Sequence, residues 1–282
     1  MTIPDRYAVF GDPINHSKSP RIHQLFAKQT QQLLSYHAQQ VSAEQFTHCV
    51  NRFFEEGGKG INCTVPLKEL AWHYAQQKTA RAQLAKAVNT LALQADGSIL
   101  GDNTDGCGLI TDLTSNYSIT LVGQKILVLG AGGASRGIIA PLLEQMPEQL
   151  VIANRTIEKA INLASEFASI AAIQGCGFDQ LSGKTFDLII NATSASLNNQ
   201  LPLLSKNLMT KETICYDLSY SNQATAFVRW GQENNARKSL DGLGMLVEQA
   251  ADAFYLWRGI RPETTGIINQ LNLERHQPFS LD

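Results

Sequence analysis

Lys68 stands in the stretch GINCTVPLKE, where a short apolar run reads as a strand and the proline after it as a helix start. Strand alternation sends Ile61, Cys63 and Val65 to one face and Asn62 and Thr64 to the other, so two polar groups point the same way near the strand's end. A helix opened by Pro66 puts Lys68 in its first turn, where the macrodipole disfavours a cation. Such conflicts between a residue and its local rule gather at functional sites, although a lysine there can also be simply solvated. Asp105, in GDNTDG, is the candidate partner, a carboxylate able to hold the ammonium and share protons with it. Its plainer reading is a cap for the helix that follows, a job for which Asp102 competes. Asn89, in AVNTLAL, adds an amide near another strand or, on the plainer reading, turn polarity.

Ser17 and Ser19, in NHSKSPRIHQLF, precede Pro20, a favourable first helical residue, which gives Ser19 a capping position. The alternative is an anion site, because two hydroxyls beside a helix amino terminus suit a substrate carboxylate. Near the far end, DGLGMLVEQAADAFYLWRG reads as an amphipathic helix with Glu248, Gln249 and Asp252 on its polar side, where such residues ordinarily face water.

A cofactor signal begins at KILVLGAGGASRG, an apolar strand that runs into a glycine-rich turn and then an apolar helix. Glycines let backbone amides approach a pyrophosphate, and the helix amino terminus adds oriented N–H donors. Gly130 and Gly132 match the first two positions of the dinucleotide fingerprint; Ser135 takes the third, where Gly or Ala is usual. About twenty residues further on, NAD binders place an acid against the ribose 2′-hydroxyl, whereas NADP binders need cationic groups for a 2′-phosphate. The second strand here ends at Asn154, followed by Arg155, Thr156 and, a turn onward, Lys159, which selects NADP. Thr156 also reads as the N-cap of the next helix, and both roles can coexist.

The elements that must hold these groups alternate short apolar runs with helical-period segments, the pattern of parallel α/β architecture. RYAVFG, GINCTV and VNTLAL read as strands of a first unit, and KILVLG, LVIAN, FDLIINAT and TICYDL as strands of a second. At 282 residues two domains are expected, joined near Asp102 to Gly106 and flanking a cleft. The Gln-rich stretch KQTQQLLSYHAQQ yields no functional reading. A net charge of -2 gives no electrostatic reason to expect nucleic acid or an anionic membrane as partner. Five dispersed cysteines with no Cys-x-x-Cys pair point to a reducing compartment, and six scattered histidines to no protein-held metal. Without a signal-peptide pattern or a run of ~18 apolar residues, a cytoplasmic location is expected.

Together these segments resemble the shikimate dehydrogenase family over nearly the whole chain, with GDPINHSKSP, GINCTVPLK, AVNTL, GDNTDG, GAGGASRG, NRT, INATS and DGLGMLVEQAA in order. The resemblance implies reversible hydride transfer between NADPH and the ketone of 3-dehydroshikimate, giving shikimate on the route to aromatic amino acids and chorismate. It implies Lys68 and Asp105 as the catalytic pair, Ser17 and Ser19 as carboxylate ligands assisted by Tyr220, and Asn62, Thr64, Asn89 and Gln249 around the ring. Gly130, Gly132, Gly133, Ala134 and Ser135 would line the pyrophosphate turn. Asn154, Arg155, Thr156 and Lys159 would surround the adenosine phosphate, with Gly242 and Met245 near the nicotinamide. It further implies a discontinuous substrate domain, residues 1–104 and 243–282, around a Rossmann-type NADP-binding domain, 105–242. The protein would act as a monomer or homodimer.

The chain departs from the family after NATS, where Ala195-Ser196-Leu197 stands in place of an early glycine, and after Tyr220, where a common proline is missing. A quinate/shikimate dehydrogenase is the competing enzyme reading, but Arg155 argues against the NAD preference that accompanies it. The two-domain methylenetetrahydrofolate dehydrogenases share the layout without explaining Ser17 and Ser19. A non-catalytic NADP-binding sensor is opposed by the intact Lys68 and Asp105.

Overall fold

The structure, a computed structural model, describes residues 3–198, 200–202 and 204–276. The chain divides into two compact units, residues 1–108 with 246–268 and residues 109–245 with 269–282.

In the first unit the order is β1 (Asp5–Gly11), α1 (Ser19–Thr30), β2 (Leu34–Gln40), α2 (Phe46–Glu55), β3 (Gly58–Cys63), α3 (Lys68–Tyr74), β4 (Gln77–Lys78), α4 (Ala80–Ala85), β5 (Thr90–Leu93) and β6 (Ile99–Asp102). The sheet runs β2-β1-β3-β5-β6-β4, with β5 antiparallel to both neighbours. Its first three strands are parallel and bring the end of β3, Asn62 and Cys63, level with Val9 and Phe10 of β1. Phe10, Val50, Ile61, Leu67, Val88 and Leu91 are sealed inside one face. On the other face Trp257 lies so close to β3 that a Cβ at Gly60 would fall 2.3 Å from its indole nitrogen, so only glycine fits. Strand β2 had no strand signature in the sequence because it is an edge strand that buries Tyr36 alone, with polar residues around it.

α5 (Asp105–Thr111) carries the chain into the second unit and passes into a π-helical turn, Asp112–Asn116. There follow β7 (Lys125–Leu129), α6 (Gly133–Glu144), β8 (Gln149–Ala153), α7 (Ile157–Phe167), β9 (Ile173–Cys176), β10 (Phe186–Asn191), β11 (Met209–Asp217), α8 (Ala226–Glu233) and β12 (Lys238–Asp241). All six strands are parallel in the order β12-β11-β10-β7-β8-β9. Numbered within the unit, this is the doubly wound order 3-2-1-4-5-6, which reverses between β7 and β10. Helices cover both faces of such a sheet, so Ile126–Leu129 and Leu150–Ala153 are buried without alternation. α9 (Leu243–Arg258) and α10 (Thr265–His276) close the chain; each has residues in both units.

Candidate active site

β3 ends in Asn62 and Cys63, and Leu67 tucks into the core after it, which starts α3 at Lys68, two residues later than the proline alone suggests. Asp105 opens α5. Lys68 Nζ donates to Asp105 Oδ2 at 2.6 Å, with side-chain exposures of 14% and 7%. The other carboxylate oxygen, Oδ1, accepts from Asn89 Nδ2 at 2.9 Å. Asp105 therefore turns both oxygens to this cluster. The capping work goes to Asn103, whose Oδ1 accepts from the Asp105 backbone N–H at 3.1 Å. Asp102 is engaged elsewhere, by Arg81 Nε at 2.7 Å and Thr79 at 2.6 Å. Burial would raise its carboxyl, but the Arg81 guanidinium and these hydrogen bonds outweigh it and hold the group below its ordinary range.

Asn89 sits just ahead of β5 and is the hub of the cluster. Its Nδ2 also approaches Thr104 Oγ1 at 2.9 Å and Gln249 Oε1 at 3.2 Å, while its Oδ1 accepts from the Thr104 backbone N–H at 2.9 Å. Asn62 donates to the Asn89 carbonyl at 3.2 Å and accepts from Tyr36 at 2.7 Å. Thr64 follows β3 half-buried, with its methyl so close to Gly11 that a Cβ there would meet it at 2.4 Å. Cys63, on the opposite side of the strand, is buried, and burial pushes its thiol up to about 12 against the opposing charge of Lys68.

Of the expected catalytic and substrate residues, the structure joins Lys68, Asp105, Asn62, Asn89 and Gln249 in one hydrogen-bonded cluster. Ser17 and Ser19 lie in the same unit, and no hydrogen bond links them to the cluster among the described residues. Ser19 is the first residue of α1 and not its cap; its backbone N–H is met by Ser17 Oγ at 3.2 Å. On α9, Glu248 does not face water. It is 1% exposed and held by Arg261 at 2.9 Å and Thr264 at 2.7 Å, with Asp252 on the same arginine at 3.0 Å. Sequence reading missed Tyr36, Thr90 and Thr104; the only signal for Thr90 and Thr104 was their adjacency to Asn89 and Asp105.

In the second unit, Gly130 leaves β7 at φ +105, a backbone state that favours glycine, and a Cβ there would meet the Ala192 carbonyl at 3.1 Å. Gly132 precedes α6 with open space where a Cβ would stand, and Gly133 and Ala134 begin the helix. Buried Ser135 donates from Oγ to the Gly130 carbonyl at 2.8 Å, which accounts for a serine in place of glycine: its hydroxyl closes the turn. This bare, amide-lined cradle at the amino end of a twelve-residue helix fits a dinucleotide pyrophosphate. After β8, Asn154 Nδ2 donates to the Thr156 carbonyl at 2.9 Å. Thr156 precedes α7 in the cap position, without a side-chain capping bond. Arg155 and Lys159 are exposed, and neither charge meets a carboxylate among the described residues.

Tyr220 lies half-buried after β11, in a loop held by Asp217. That buried carboxylate accepts from Ser196 and Thr225, both at 2.6 Å, and from Asn191 at 3.1 Å; burial, opposed by these bonds, raises its pKa. Gly242 is required by close approach, since a Cβ would fall 2.3 Å from the Leu218 carbonyl. Met245 packs into the second unit's core.

A doubly wound parallel sheet with a glycine-rich first turn, carried with a separate unit holding a buried Lys–Asp pair, defines a two-unit dinucleotide-dependent oxidoreductase. Three family models match in order: the shikimate dehydrogenase substrate binding domain over residues 9–91, shikimate/quinate 5-dehydrogenase over 112–219, and the shikimate 5′-dehydrogenase C-terminal domain over 242–271. A protein named shikimate dehydrogenase (NADP(+)) from Methylococcus capsulatus is 58% identical over 275 residues, 98% of this chain and 99% of the relative. One of the same name from Cellvibrio japonicus is 50% identical over 273 residues, 97% and 99% of the two chains. The crystal structure of a shikimate 5-dehydrogenase from Thermus thermophilus, in complex with NADP(H) and shikimate, superposes with a TM-score of 0.84 at 30% identity, covering 96% of this chain and 99% of that one. The chain belongs to the shikimate dehydrogenase family.

Proposed function

We propose that this chain catalyses the reversible NADPH-dependent reduction of 3-dehydroshikimate to shikimate, within the biosynthesis of chorismate and aromatic amino acids. The observation that carries the reading is the Lys68–Asp105 pair, 2.6 Å apart and largely buried, in a chain 58% identical to an NADP-dependent shikimate dehydrogenase.

Bound NADPH supplies the hydride. Lys68 Nζ donates a proton to the substrate's carbonyl oxygen as negative charge develops there, and in the reverse direction takes it back. Asp105 holds the ammonium through Oδ2 and contacts the same region of the substrate. Because both groups are fixed before substrate arrives, little reorganisation accompanies charge development. Ser17 and Ser19, with Tyr220, bind the carboxylate; Asn62, Thr64, Asn89 and Gln249 contact ring hydroxyls or orient the ring. Gly130, Gly132, Gly133, Ala134 and Ser135 cradle the pyrophosphate. Asn154, Arg155, Thr156 and Lys159 receive the adenosine phosphate, and Gly242 and Met245 border the nicotinamide.

On this reading residues 1–104 and 243–282 form the substrate domain and 105–242 the NADP-binding domain, whereas by compactness residues 105–108 fall with the first unit and 243–245 and 269–282 with the second. Residues 277–282 lie outside the described ones. The chain works as a monomer or homodimer in the cytoplasm, a location supported by its five free cysteines. Among the described residues no helix is long and apolar enough to cross a membrane.

The test is nicotinamide absorbance with purified protein, shikimate or quinate, and NADP or NAD. Shikimate-dependent reduction of NADP is expected. Folded protein with no shikimate turnover on either cofactor would overturn the reading, and quinate turnover with NAD would redirect it.

A further inference from the structure

Five hydrogen bonds in the first unit form one continuous chain that ends at Asp105. Tyr36 Oη donates to Asn62 Oδ1 at 2.7 Å, and Asn62 Nδ2 donates to Thr90 Oγ1 at 3.0 Å. Thr90 Oγ1 donates to Asn89 Oδ1 at 2.9 Å, Asn89 Nδ2 to Asp105 Oδ1 at 2.9 Å, and Lys68 Nζ reaches Asp105 Oδ2 at 2.6 Å.

The sense of this chain follows from chemistry. A carboxylate has only lone pairs to offer, so Asn89 must present its amino end to Asp105. That turns Asn89 Oδ1 toward Thr90, whose single hydroxyl hydrogen is then committed to it. Thr90 can only accept from Asn62, which therefore shows its own oxygen to Tyr36. Two backbone groups fix the amides independently. The Thr104 N–H, a donor only, faces Asn89 Oδ1 at 2.9 Å, and the Asn89 carbonyl, an acceptor only, faces Asn62 Nδ2 at 3.2 Å. Every donor thus points toward one anion, an arrangement in which successive bonds polarise one another.

We propose that Thr90 and Tyr36 are positioning residues for the Lys68–Asp105 pair, acting through this unidirectional chain. The inference rests on the assignment of that pair to the chemistry. Thr90 is fully buried and can touch no ligand, so its hydroxyl matters only for what it holds. It fixes both amides at once: Asn89, which serves Asp105, and Asn62. Tyr36 anchors the far end, its phenol ring stacked on His23 with centroids 4.1 Å apart and planes 7° from parallel. With Asn89 unable to turn, Asp105 keeps one oxygen committed to it and the other free to hold the ammonium.

The experiment compares Thr90→Val, which keeps shape and loses the hydroxyl, with Thr90→Ser, which keeps the hydroxyl, and adds Tyr36→Phe. Thr90→Val is expected to lower kcat/KM for shikimate about tenfold, within the range of a lost buried hydrogen bond, with KM for NADP unchanged. Thr90→Ser should recover most of the loss, and Tyr36→Phe should give a smaller loss of the same kind. In an Asp105→Asn background Thr90→Val should cost less than about twofold, because coupled groups are not additive. Wild-type kcat/KM in both Thr90→Val and Tyr36→Phe, failure of Thr90→Ser to rescue, or equal losses in both backgrounds would overturn the proposal. Should Thr90→Val not fold, Tyr36→Phe alone decides, in the wild-type and Asp105→Asn backgrounds. A wild-type protein without shikimate turnover would instead remove the functional reading on which this one stands.

Discussion

Lys68 and Asp105 each open a helix, and although 37 positions separate them their charged groups meet at 2.6 Å. Both helices follow strands of one sheet, with four residues between the end of β3 and α3 and two between the end of β6 and α5, so the sheet brings their first residues together. A lysine in a first helical turn has no favourable dipole interaction; here the aspartate supplies the compensation.

Lys68→Ala is expected to lower kcat for shikimate oxidation by about two to four orders of magnitude, the usual reach of a positioned acid–base group, with a smaller effect on KM. Initial rates from NADPH absorbance measure it. Near-normal kcat would remove Lys68 from the chemistry and leave the pair a structural one.

Arg155→Ala is expected to weaken NADP about tenfold to a hundredfold and leave NAD nearly unaffected, since a charge-assisted contact to phosphate is worth about 1.5–3 kcal/mol. Arg155 is exposed and pairs with no carboxylate among the described residues, so its removal should leave stability unchanged. Titration of both cofactors against the variant, followed by tryptophan fluorescence, separates the cases. An equal loss for both would assign Arg155 to the shared part of the dinucleotide.

The second unit was the more legible in sequence. Its inner strands β7, β8, β10 and the second half of β11 are buried and read as apolar runs, whereas the edge strands β9 (IQGC) and β12 (KSLD) carry no such run; its glycine turn is dictated by the positive φ at Gly130 and the close carbonyl of Ala192. In the first unit Lys68 stood out because it broke a local rule, Asp105 only as its candidate partner and Asn89 only as an amide beside a strand. Their bonding partners did not. Tyr36 sits on an edge strand whose polar neighbours hide its period, and Thr90 looks like any β-branched strand residue until the fold brings Asn62 against it. Glu248 misled for a related reason. Amphipathic spacing assigns it to solvent, but Arg261 and Thr264 return over it. Periodicity registers which face is polar, not what later chain covers that face.

Asp102→Asn is expected to destabilise the protein by about 2–3 kcal/mol. The carboxylate is 2% exposed and leaves Arg81 without its partner, but that guanidinium is 36% exposed, which puts the cost at or below the lower end for a broken buried pair. Since its folded pKa lies below the unfolded one, Asp102 contributes stability at neutral pH that is lost as pH falls through the carboxylate range. Urea unfolding at pH 7 and pH 4 measures both. A variant as stable as wild type at pH 7 would contradict the assignment.

His23 supplies a pH dependence of the same sign from a base. Its imidazole is fully buried among Tyr36, Phe26, Phe254 and Trp257, and burial drives its pKa down to about 3, with the nearby Asn62 amide opposing only partly. In the unfolded chain the ring titrates near 6.5. The folded state therefore excludes a proton that the unfolded state binds, so the contribution is complete above about pH 6.5 and is lost as pH falls toward 3. The limiting slope for one proton is about 1.4 kcal/mol per pH unit, which integrates to about 2 kcal/mol between pH 7 and pH 5. His23→Phe keeps a ring against Tyr36 and cannot be protonated, so its unfolding free energy should fall by about 2 kcal/mol less than that of wild type between pH 7 and pH 5. Carboxylates titrate alike in both proteins and cancel in the comparison. Parallel pH curves for the two proteins would mean that His23 takes up a proton in the fold as readily as in the unfolded chain, and the burial argument would fail.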